Sequence, residues 1–227
     1  MRGDKLAVSA RSVPSTQAVA ASAIRALLAG PDPSEAAEGL TSDIPSGVTL
    51  RDVSITASTA TVDLSSTFSS GGGSLSMTAR LAQVTYTLTQ FSNVSGVLFR
   101  LEGAPVTVFG AEGIVLDHPA TRSEFESVTP AILVESPTPG SRVTSPLRIW
   151  GTANVFEAVF RVELIDGAGR VVASQAVRAA SGTGTRGSFD VTFPFSAPAG
   201  LAVLNAFDLS ARDGSRQDLV AVALQVG

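Results

Sequence analysis

The single histidine, His118, follows Asp117, and this pair is the first place to look for acid–base chemistry. A serine hydrolase needs a rigidly presented serine, a histidine that takes its proton and a buried acid that orients the imidazole. The segment between Gly113 and Pro119 reads as an interdomain loop and offers neither the serine nor the acid. We therefore interpret His118 as a solvated loop residue. A single histidine also excludes zinc sites built from several histidines.

Residues 182–187, GTGTRG, match the letters of a dinucleotide-binding glycine loop. Such a loop binds pyrophosphate because it opens a helix whose N-terminus faces the phosphates. Here the next residues are SFDVTFPF, which alternate as a strand does. The sequence favours a sandwich loop over a nucleotide site, and we expect no cofactor.

Five aspartates of the second half could meet at one end of a sandwich and hold calcium: Asp166, Asp190, Asp208, Asp213 and Asp218. A calcium loop of the EF-hand type carries a D-x-D-x-D-G pattern, and these residues do not form one. Asp166-Gly167 and Asp213-Gly214 stand instead at hairpin positions, where aspartate is common. We interpret the five as turn and surface residues and expect no metal site.

Trp150 is the candidate for an interaction surface. Leu147 and Ile149 share the core side of a predicted strand, so Trp150 and Arg148 point outward from it. Tryptophan and arginine are enriched at the hot spots of protein interfaces. Two interpretations stay open: another part of the chain covers Trp150, or it is an exposed contact with Arg148 beside it.

Composition limits the classes of partner. The chain has 227 residues, of which 44% are hydrophobic and 16% charged, as in ordinary globular proteins. A net charge of −4 and a pI near 5.0 argue against nucleic acid, because binding phosphates requires a basic excess. The absence of cysteine excludes disulfides, thiol catalysis and thiolate metal sites. The longest apolar run, AVAASAIRALLAG, is too short to span a bilayer.

The first half is built around a predicted helix over residues 77–91. Its apolar stripe consists of Met77, Leu81, Val84, Leu88 and Phe91. The residues that we expect in water are Arg80, Gln83, Thr87 and Gln90. Steps of three and four residues place the stripe on one helix face, so the helix must lie on a sheet.

Further elements are predicted around this helix in the order β-α-β-β-α-β-β. They are a strand at 5–13, helices at 14–30 and 32–39, a hairpin of 48–56 and 60–65 with a bulge near Asp52, a flexible loop at 69–74, and strands at 97–101 and 106–108. We expect an α+β domain over residues 1–110 with its helices on one face of a small sheet.

From Ala131 onward apolar residues alternate with polar ones. Strands are predicted at 131–135, 146–152, 155–165, 170–178, 188–195, 201–211 and 217–226. The residues expected on the core face of the third strand are Phe156, Ala158, Phe160, Val162 and Leu164. This spacing predicts an immunoglobulin-like sandwich of about seven strands over residues 131–227. Residues 111–130 are predicted to be a linker, in which Thr121 and Glu124 form a capping-box pair.

Two sets of residues carry a family resemblance. AIRALLAGPDPSEAAEGLTSDIP, VDLSSTF and QVTYTLTQF resemble the GerM-type domain of bacterial sporulation and germination proteins. AILVESPTPGSRVTSPLRIWGTANVFEAVFRV, GTGTRGSF and SARDGS resemble the immunoglobulin-like domain that accompanies it. The resemblance implies an extracytoplasmic protein of the cell envelope, commonly a lipoprotein held through a cysteine upstream of the folded part. This sequence contains no cysteine, so we expect membrane attachment only through a lipid anchor in a longer precursor.

Three functions remain open at this point. The first is a non-catalytic envelope scaffold that binds other envelope proteins or itself, as the resemblance implies. The second is a glycan- or peptidoglycan-binding module, which requires exposed aromatic side chains. The third is a wall hydrolase, which requires a carboxylate pair or a metal cluster, and we locate neither.

Overall fold

The computed structural model describes residues 1–111 and 113–227, which divide into two units. Unit 1 consists of Met1–Ala7 and Arg11–Thr129, and unit 2 consists of Val8–Ala10 and Pro130–Gly227. Within these described residues, no helix has both the length and the apolar character needed to span a membrane.

Unit 1 has three helices and a four-stranded sheet. The helices are α1 (Val19–Leu28), α2 (Pro33–Ala37) and α3 (Ser74–Leu88). The sheet consists, in spatial order, of β1 (Leu50–Thr56), β2 (Thr59–Leu64), β3 (Gly96–Leu101) and β4 (Ala104–Pro105). Strands β2 and β3 are parallel, and the other neighbours are antiparallel. A separate hairpin joins β5 (Val108–Phe109) to β6 (Ile114–Val115).

Helix α3 carries the centre of the first core. Met77, Leu81, Val84 and Leu88 are buried, as predicted, and belong to the same apolar cluster as Val62 on β2. Strands β1 and β2 form the predicted hairpin, and the predicted bulge lies between Leu50 and Asp52 on β1. The predicted α+β fold of this half is confirmed.

The prediction that Arg80 faces water is wrong, because Arg80 is only 4% exposed. Its guanidinium donates to the carbonyl oxygens of Phe68 (2.9 Å), Ser70 (2.8 Å) and Gly71 (2.9 Å). Its Nε donates to the carbonyl oxygen of Asp43 at 3.0 Å. Burial lowers the pKa of this guanidinium from its usual value. The loop at 69–74, predicted to be flexible, is therefore hydrogen-bonded to the helix that follows it.

The prediction for Gln83 is also wrong, since Gln83 is 6% exposed. Its Nε2 donates to the Ala79 carbonyl oxygen at 3.3 Å, and its Oε1 accepts from Ser42 Oγ at 3.2 Å. A polar side chain tolerates burial when its donors and acceptors are paired. Gln90 is exposed, as predicted.

The segment 5–13 does not form the predicted strand. Arg2 makes isolated bridges to Leu40 and Lys5, and the Leu6 N–H donates to the Val128 carbonyl oxygen at 2.7 Å. The chain start thus follows the first core without joining its sheet.

Residues 113–129 contribute to the first core, although the sequence suggested a linker at 111–130; Glu112 lies outside the described residues. Leu116, Ala120, Phe125 and Val128 are all buried in the apolar cluster of unit 1. A 3₁₀ helix spans Arg122–Val128, and the predicted capping box of Thr121 and Glu124 precedes it. The low apolar content of this segment concealed the burial of these four side chains.

Unit 2 is a sandwich of two sheets. Its strands are β7 (Ile132–Ser136), β8 (Arg142–Val143), β9 (Leu147–Ala153), β10 (Val159–Asp166), β11 (Val171–Arg178), β12 (Gly187–Phe193), β13 (Gly200–Leu209) and β14 (Arg216–Val226). One sheet has the order β11-β10-β13-β14-β8, and the other has the order β12-β9-β7. The ring centroids of Phe160 on β10 and Phe189 on β12 are 4.9 Å apart. The predicted immunoglobulin-like sandwich is confirmed.

Phe156 does not lie on the core face of the third predicted strand. It sits in a 3₁₀ turn, Phe156–Ala158, and is 60% exposed. Glu157 (φ 54°) and Ala158 (φ 59°) have left-handed backbone, which breaks the alternation before β10 begins. Phe160, Val162 and Leu164 are buried, as predicted.

Candidate interaction surface

Trp150 lies on β9, the central strand of the three-stranded sheet of unit 2. Leu147, Ile149 and Gly151 are buried, whereas Arg148 is exposed and Trp150 is 38% exposed. The predicted alternation along β9 is confirmed. A strand with neighbours on both sides holds its side chains in fixed directions, so Trp150 presents an apolar ring on a rigid base.

Arg148 and Asp190 form an ion pair beside Trp150. The Arg148 Nε donates to Asp190 Oδ1 at 2.8 Å, and Nη2 donates to Oδ2 at 2.5 Å. These hydrogen bonds lower the pKa of Asp190. Asp190 is also the cross-strand partner of Trp150 in the register of β12 and β9. The ion pair therefore orients the guanidinium next to the indole, although both charged side chains are too exposed to stabilise the fold much.

The next outward position along β9 is Thr152. Arg186 Nη1 donates to Thr152 Oγ1 at 3.2 Å, and Arg186 Nη2 donates to the Pro130 carbonyl oxygen at 2.7 Å. Trp150 is thus flanked by polar groups at both outward neighbours on its own strand. An apolar ring within a polar rim is the arrangement found at many protein interfaces. We call Trp150, Arg148 and Asp190 the Trp150 surface.

Gly151 allows the strands around the Trp150 surface to pack closely. A Cβ atom at Gly151 would lie 2.0 Å from the Leu133 carbonyl oxygen and 3.0 Å from Phe189 Cζ. Any larger residue would therefore displace either β7 or the core.

His118 does not complete a hydrolytic triad. Its Nδ1 lies 2.6 Å from Asp117 Oδ1, and its Nε2 lies 3.4 Å from Glu124 Oε2. Both ring nitrogens face carboxylates, and the hydrogen bond to Asp117 raises the pKa of His118. A general base needs one nitrogen free to take a proton from serine. This geometry favours an imidazolium ion that links Asp117 to Glu124.

The GTGTRG loop leads into strand β12, as predicted, and not into a helix. A Cβ at Gly182 would lie 2.5 Å from the Val155 carbonyl oxygen, and Gly184 has φ of 95°. The Gly184 N–H donates to Asn154 Oδ1 at 2.9 Å. Glycine at these positions allows two loops of the sandwich to lie in close contact.

Four of the five aspartates have separate partners, among them Asp190, which pairs with Arg148. Asp166 accepts from Arg170 Nε at 2.9 Å, Asp208 accepts from Gln217 Nε2 at 3.2 Å, and Asp213 accepts from the Ser215 N–H at 3.0 Å. In the described part of the chain, His, Cys, Asp and Glu side chains form no group of three or more suited to a metal ion. The structure does not bring the five aspartates together as one site.

A shallow groove of about 510 Å³ lies beside β4 and β5 in unit 1. Its lining includes Leu101, Pro105, Val106 and Phe109, together with hydroxyl groups such as that of Ser69. None of the described residues lining the groove is an acid or a base. It lacks the convergent polar groups that mark a catalytic pocket.

Phe156, which the sequence placed in the core, is a second exposed aromatic side chain of unit 2 and is 60% exposed. The Thr183 Oγ1 accepts from the Glu157 N–H at 3.0 Å, and the Thr183 N–H donates to the Val155 carbonyl oxygen at 2.9 Å. These bonds hold the left-handed turn that presents Phe156. The sequence carries no glycine at these positions that would have indicated such a turn.

The fold and its candidate site define a class: an α+β domain followed by an immunoglobulin-like sandwich that carries an exposed tryptophan on a sheet face. Residues 3–107 match the Germane family, described as sporulation and spore germination. Residues 131–215 match Gmad2, described as the immunoglobulin-like domain of bacterial spore germination. The chain thus carries a Germane domain in its first half and a Gmad2 domain in its second, and the resemblance predicted for both halves is confirmed.

Two solved structures are similar to parts of this chain. The first GerMN domain of the sporulation protein GerM from Bacillus subtilis is 24% identical, with a TM-score of 0.43, and the match covers 49% of this chain and 84% of that one. The tandem GerMN domains of the same protein are 17% identical, with a TM-score of 0.44, and the match covers 81% of this chain and 55% of that one. The curated proteins give no match.

Proposed function

We propose that this chain is a non-catalytic, extracytoplasmic scaffold of the bacterial cell envelope that helps to assemble sporulation or spore germination complexes. The observation that carries the proposal is the Trp150 surface, a partly exposed indole beside a bidentate Arg148–Asp190 pair. Such a surface suits a protein partner, because tryptophan and arginine contribute strongly to the binding free energy when an interface excludes water from them.

Two further observations support a role without turnover. Both nitrogens of His118 are directed at carboxylates, and the groove in unit 1 is lined by apolar and hydroxyl side chains. The apolar side chains of each unit are used mainly in its own core. Membrane attachment, in this proposal, is through a lipid anchor upstream of the folded part, and the partners are other envelope proteins or further copies of the chain.

A capture experiment tests the proposal. The purified chain is immobilised and exposed to envelope extract from sporulating cells, and bound proteins are identified by mass spectrometry. We expect an envelope protein to be retained by the wild type and by Phe156→Ala, and to be lost with Trp150→Ala. Phe156→Ala is the matched control because it removes an exposed aromatic side chain from the same unit. Equal retention by Trp150→Ala, or no specific retention by the wild type, would contradict the proposal.

A second candidate, a glycan- or peptidoglycan-binding module, is favoured by one observation. The Trp150 ring lies between polar groups of Arg148 and Thr152, and sugars combine an apolar face with hydroxyl groups that such neighbours can bind. Sedimentation with purified cell wall distinguishes the two candidates. The glycan module requires wild type, but not Trp150→Ala, to sediment with the wall, whereas the scaffold leaves both in solution.

A further inference from the structure

The free edge of strand β11 differs from the other strand edges of the protein. Strand β11 ends the five-stranded sheet of unit 2, with β10 as its only neighbour there. An exposed edge presents unpaired backbone N–H and C=O groups, and proteins usually protect such edges with charge, bulges or short strands. The stretch from Val171 to Val177 contains no charged residue and no proline.

The edges of the four-stranded sheet of unit 1 are protected. Strand β4 has two residues. Strand β1 has a register shift between Leu50 and Asp52, and the intervening Arg51 forms ion pairs with Asp63 and Glu102. Both features discourage another strand from adding there.

The remaining edges of unit 2 are protected as well. Strand β8 has two residues, and β14 beside it has a left-handed residue, Asp218 (φ 54°), where its register with β13 shifts. On β12 the Ser188 carbonyl oxygen already accepts from the Ala180 N–H at 2.8 Å. The register of β7 shifts between Val134 and Ser136.

A hydrogen bond at the C-terminal end of β11 shows which of its backbone N–H and C=O groups face β10. The Ala179 N–H donates to the Ala158 carbonyl oxygen at 2.9 Å, so residue 179 faces the β10 side. Because backbone groups alternate along a strand, Val177, Gln175 and Ala173 face β10 too. Ser174 and Ala176 then direct their N–H and C=O groups outward, and both are exposed.

The regular part of the edge runs from Ala173 to Arg178. The register with β10 is continuous over this part, and the shift leaves Val172 unpaired before it. The residues whose backbone groups point away from β10, Ser174 and Ala176, have small side chains. A neighbouring strand can therefore approach to the usual spacing of about 4.7–4.9 Å without steric obstruction.

We infer that this edge pairs with the same edge of a second copy of the chain, antiparallel, about a two-fold axis at Ala176. In that register Ala176 lies opposite its own copy, Ser174 lies opposite Arg178, and Gln175 lies opposite Val177. No like charges face each other. The two five-stranded sheets then form one continuous sheet, which is the isologous arrangement that closes a dimer. This inference rests on the assembly role proposed above and names a second copy as one partner.

A cysteine cross-link tests the pairing and its register. The natural chain has no cysteine, so each variant carries a single thiol. Residues opposite each other in a hydrogen-bonded antiparallel pair have Cα atoms about 5.5 Å apart, which a disulfide can bridge. We expect Ala176→Cys to form a covalent dimer under mild oxidation at least about tenfold faster than Ala221→Cys, an exposed control on β14. We also expect Ser174→Cys and Arg178→Cys to cross-link when mixed and not when each is alone.

A charge variant provides the reversible measurement. We expect sedimentation of the full chain to show a monomer–dimer equilibrium, and Ala176→Lys to weaken it at least about tenfold because two like charges then lie opposite each other. Ala221→Lys, on β14 of the same sheet and away from β11, is expected to dimerise as the wild type does. Circular dichroism verifies that each variant is folded.

The outcomes separate this inference from the proposed function. A chain that stays monomeric at about millimolar concentration, or Ala176→Cys that cross-links no faster than Ala221→Cys, overturns the pairing. If such a chain still retains an envelope protein through Trp150, the assembly role stands and the β11 dimer is wrong. Cross-linking of Ala176→Cys to a different protein in cells, without homodimers, also overturns it, because the occupant is then a partner strand.

Discussion

Arg80 and Trp150 occupy environments opposite to those that their side chains usually prefer. Arg80, on α3 of unit 1, is 4% exposed, whereas Trp150, on β9 of unit 2, is 38% exposed. The arginine donates to four carbonyl oxygens, so each nitrogen of its buried guanidinium has an acceptor. Trp150 points outward because its neighbours Ile149 and Gly151 fill the core side of the strand.

The contrast shows which residues hold the fold and which are available to a partner. The hydrogen bonds of Arg80 are all made within unit 1 and fix the loop before α3. The Trp150 ring, in contrast, lies on the outward face of β9 and is not part of the sandwich core. Substitutions at the two positions should therefore separate into effects on stability and effects on binding.

The largest expected effect is that of Arg80→Ala. It leaves the carbonyl oxygens of Phe68 and Ser70 without their donor and should lower the free energy of unfolding by about 2–4 kcal/mol. Urea denaturation of the full chain measures this change. Arg25→Ala, at an exposed position on α1, is the control and should cost less than about 0.5 kcal/mol. Equal losses for the two variants would show that the buried hydrogen bonds do not matter.

Gly151→Ala should have the next largest effect on stability. The added Cβ meets the Leu133 carbonyl oxygen at 2.0 Å, so β7 and β9 must move apart. We expect a loss of about 1–3 kcal/mol, as for other overpacked positions. Denaturation followed by Trp150 fluorescence reports on this strand directly. A neutral result would show that the two strands separate more easily than their contact implies.

Trp150→Ala should change stability little and binding strongly. We expect unfolding free energy to change by less than about 1 kcal/mol, because the ring lies on the outer face. Affinity for the captured envelope partner should fall about 30-fold or more, as for a hot-spot residue. Calorimetric titration measures the affinity, with Phe156→Ala as the control. A large loss of stability with unchanged affinity would show that Trp150 holds the fold, as Arg80 does, and does not bind the partner.

The smallest expected effect concerns His118. Its pKa is raised by Asp117 first and then by Glu124, so the pairing is fully present below the unfolded value near 6.5 and is lost as the pH rises through the folded pKa. Stability should thus decrease slightly between pH 6 and pH 8 in the wild type and less so in His118→Gln. The single imidazole signal in the NMR spectrum gives the pKa directly. A value at or below 6.5 would contradict the geometry.

The sequence predicted the direction of side chains more accurately on strand β9 than on helix α3. Alternation along β9 identified Trp150 as outward because each strand position has only two possible directions. The helical pattern misplaced Arg80 and Gln83, because each has a hydrogen-bond partner outside the helix that the helical period does not encode: Arg80 donates to the Asp43 carbonyl oxygen, and Gln83 accepts from Ser42. Phe156 was misplaced because its left-handed turn uses Glu157 and Ala158, which rarely adopt that backbone.

The most distant contacts were the least predictable. The cores were recognisable from apolar periodicity, but the burial of Leu116 and Phe125 depends on packing with residues far along the chain. The same holds for the Arg148–Asp190 pair, which joins two strands whose register no local pattern specifies. The family match followed from long similar segments and not from any catalytic motif.

Photo-cross-linking in sporulating cells tests the central claim that the Trp150 surface is a docking site. A photoreactive phenylalanine analogue replaces Trp150 in one strain and Phe156 in a control strain. The account predicts a discrete adduct with an envelope protein from position 150 and no such adduct from position 156. Adducts of equal yield and identity at both positions, or none at position 150, would contradict it.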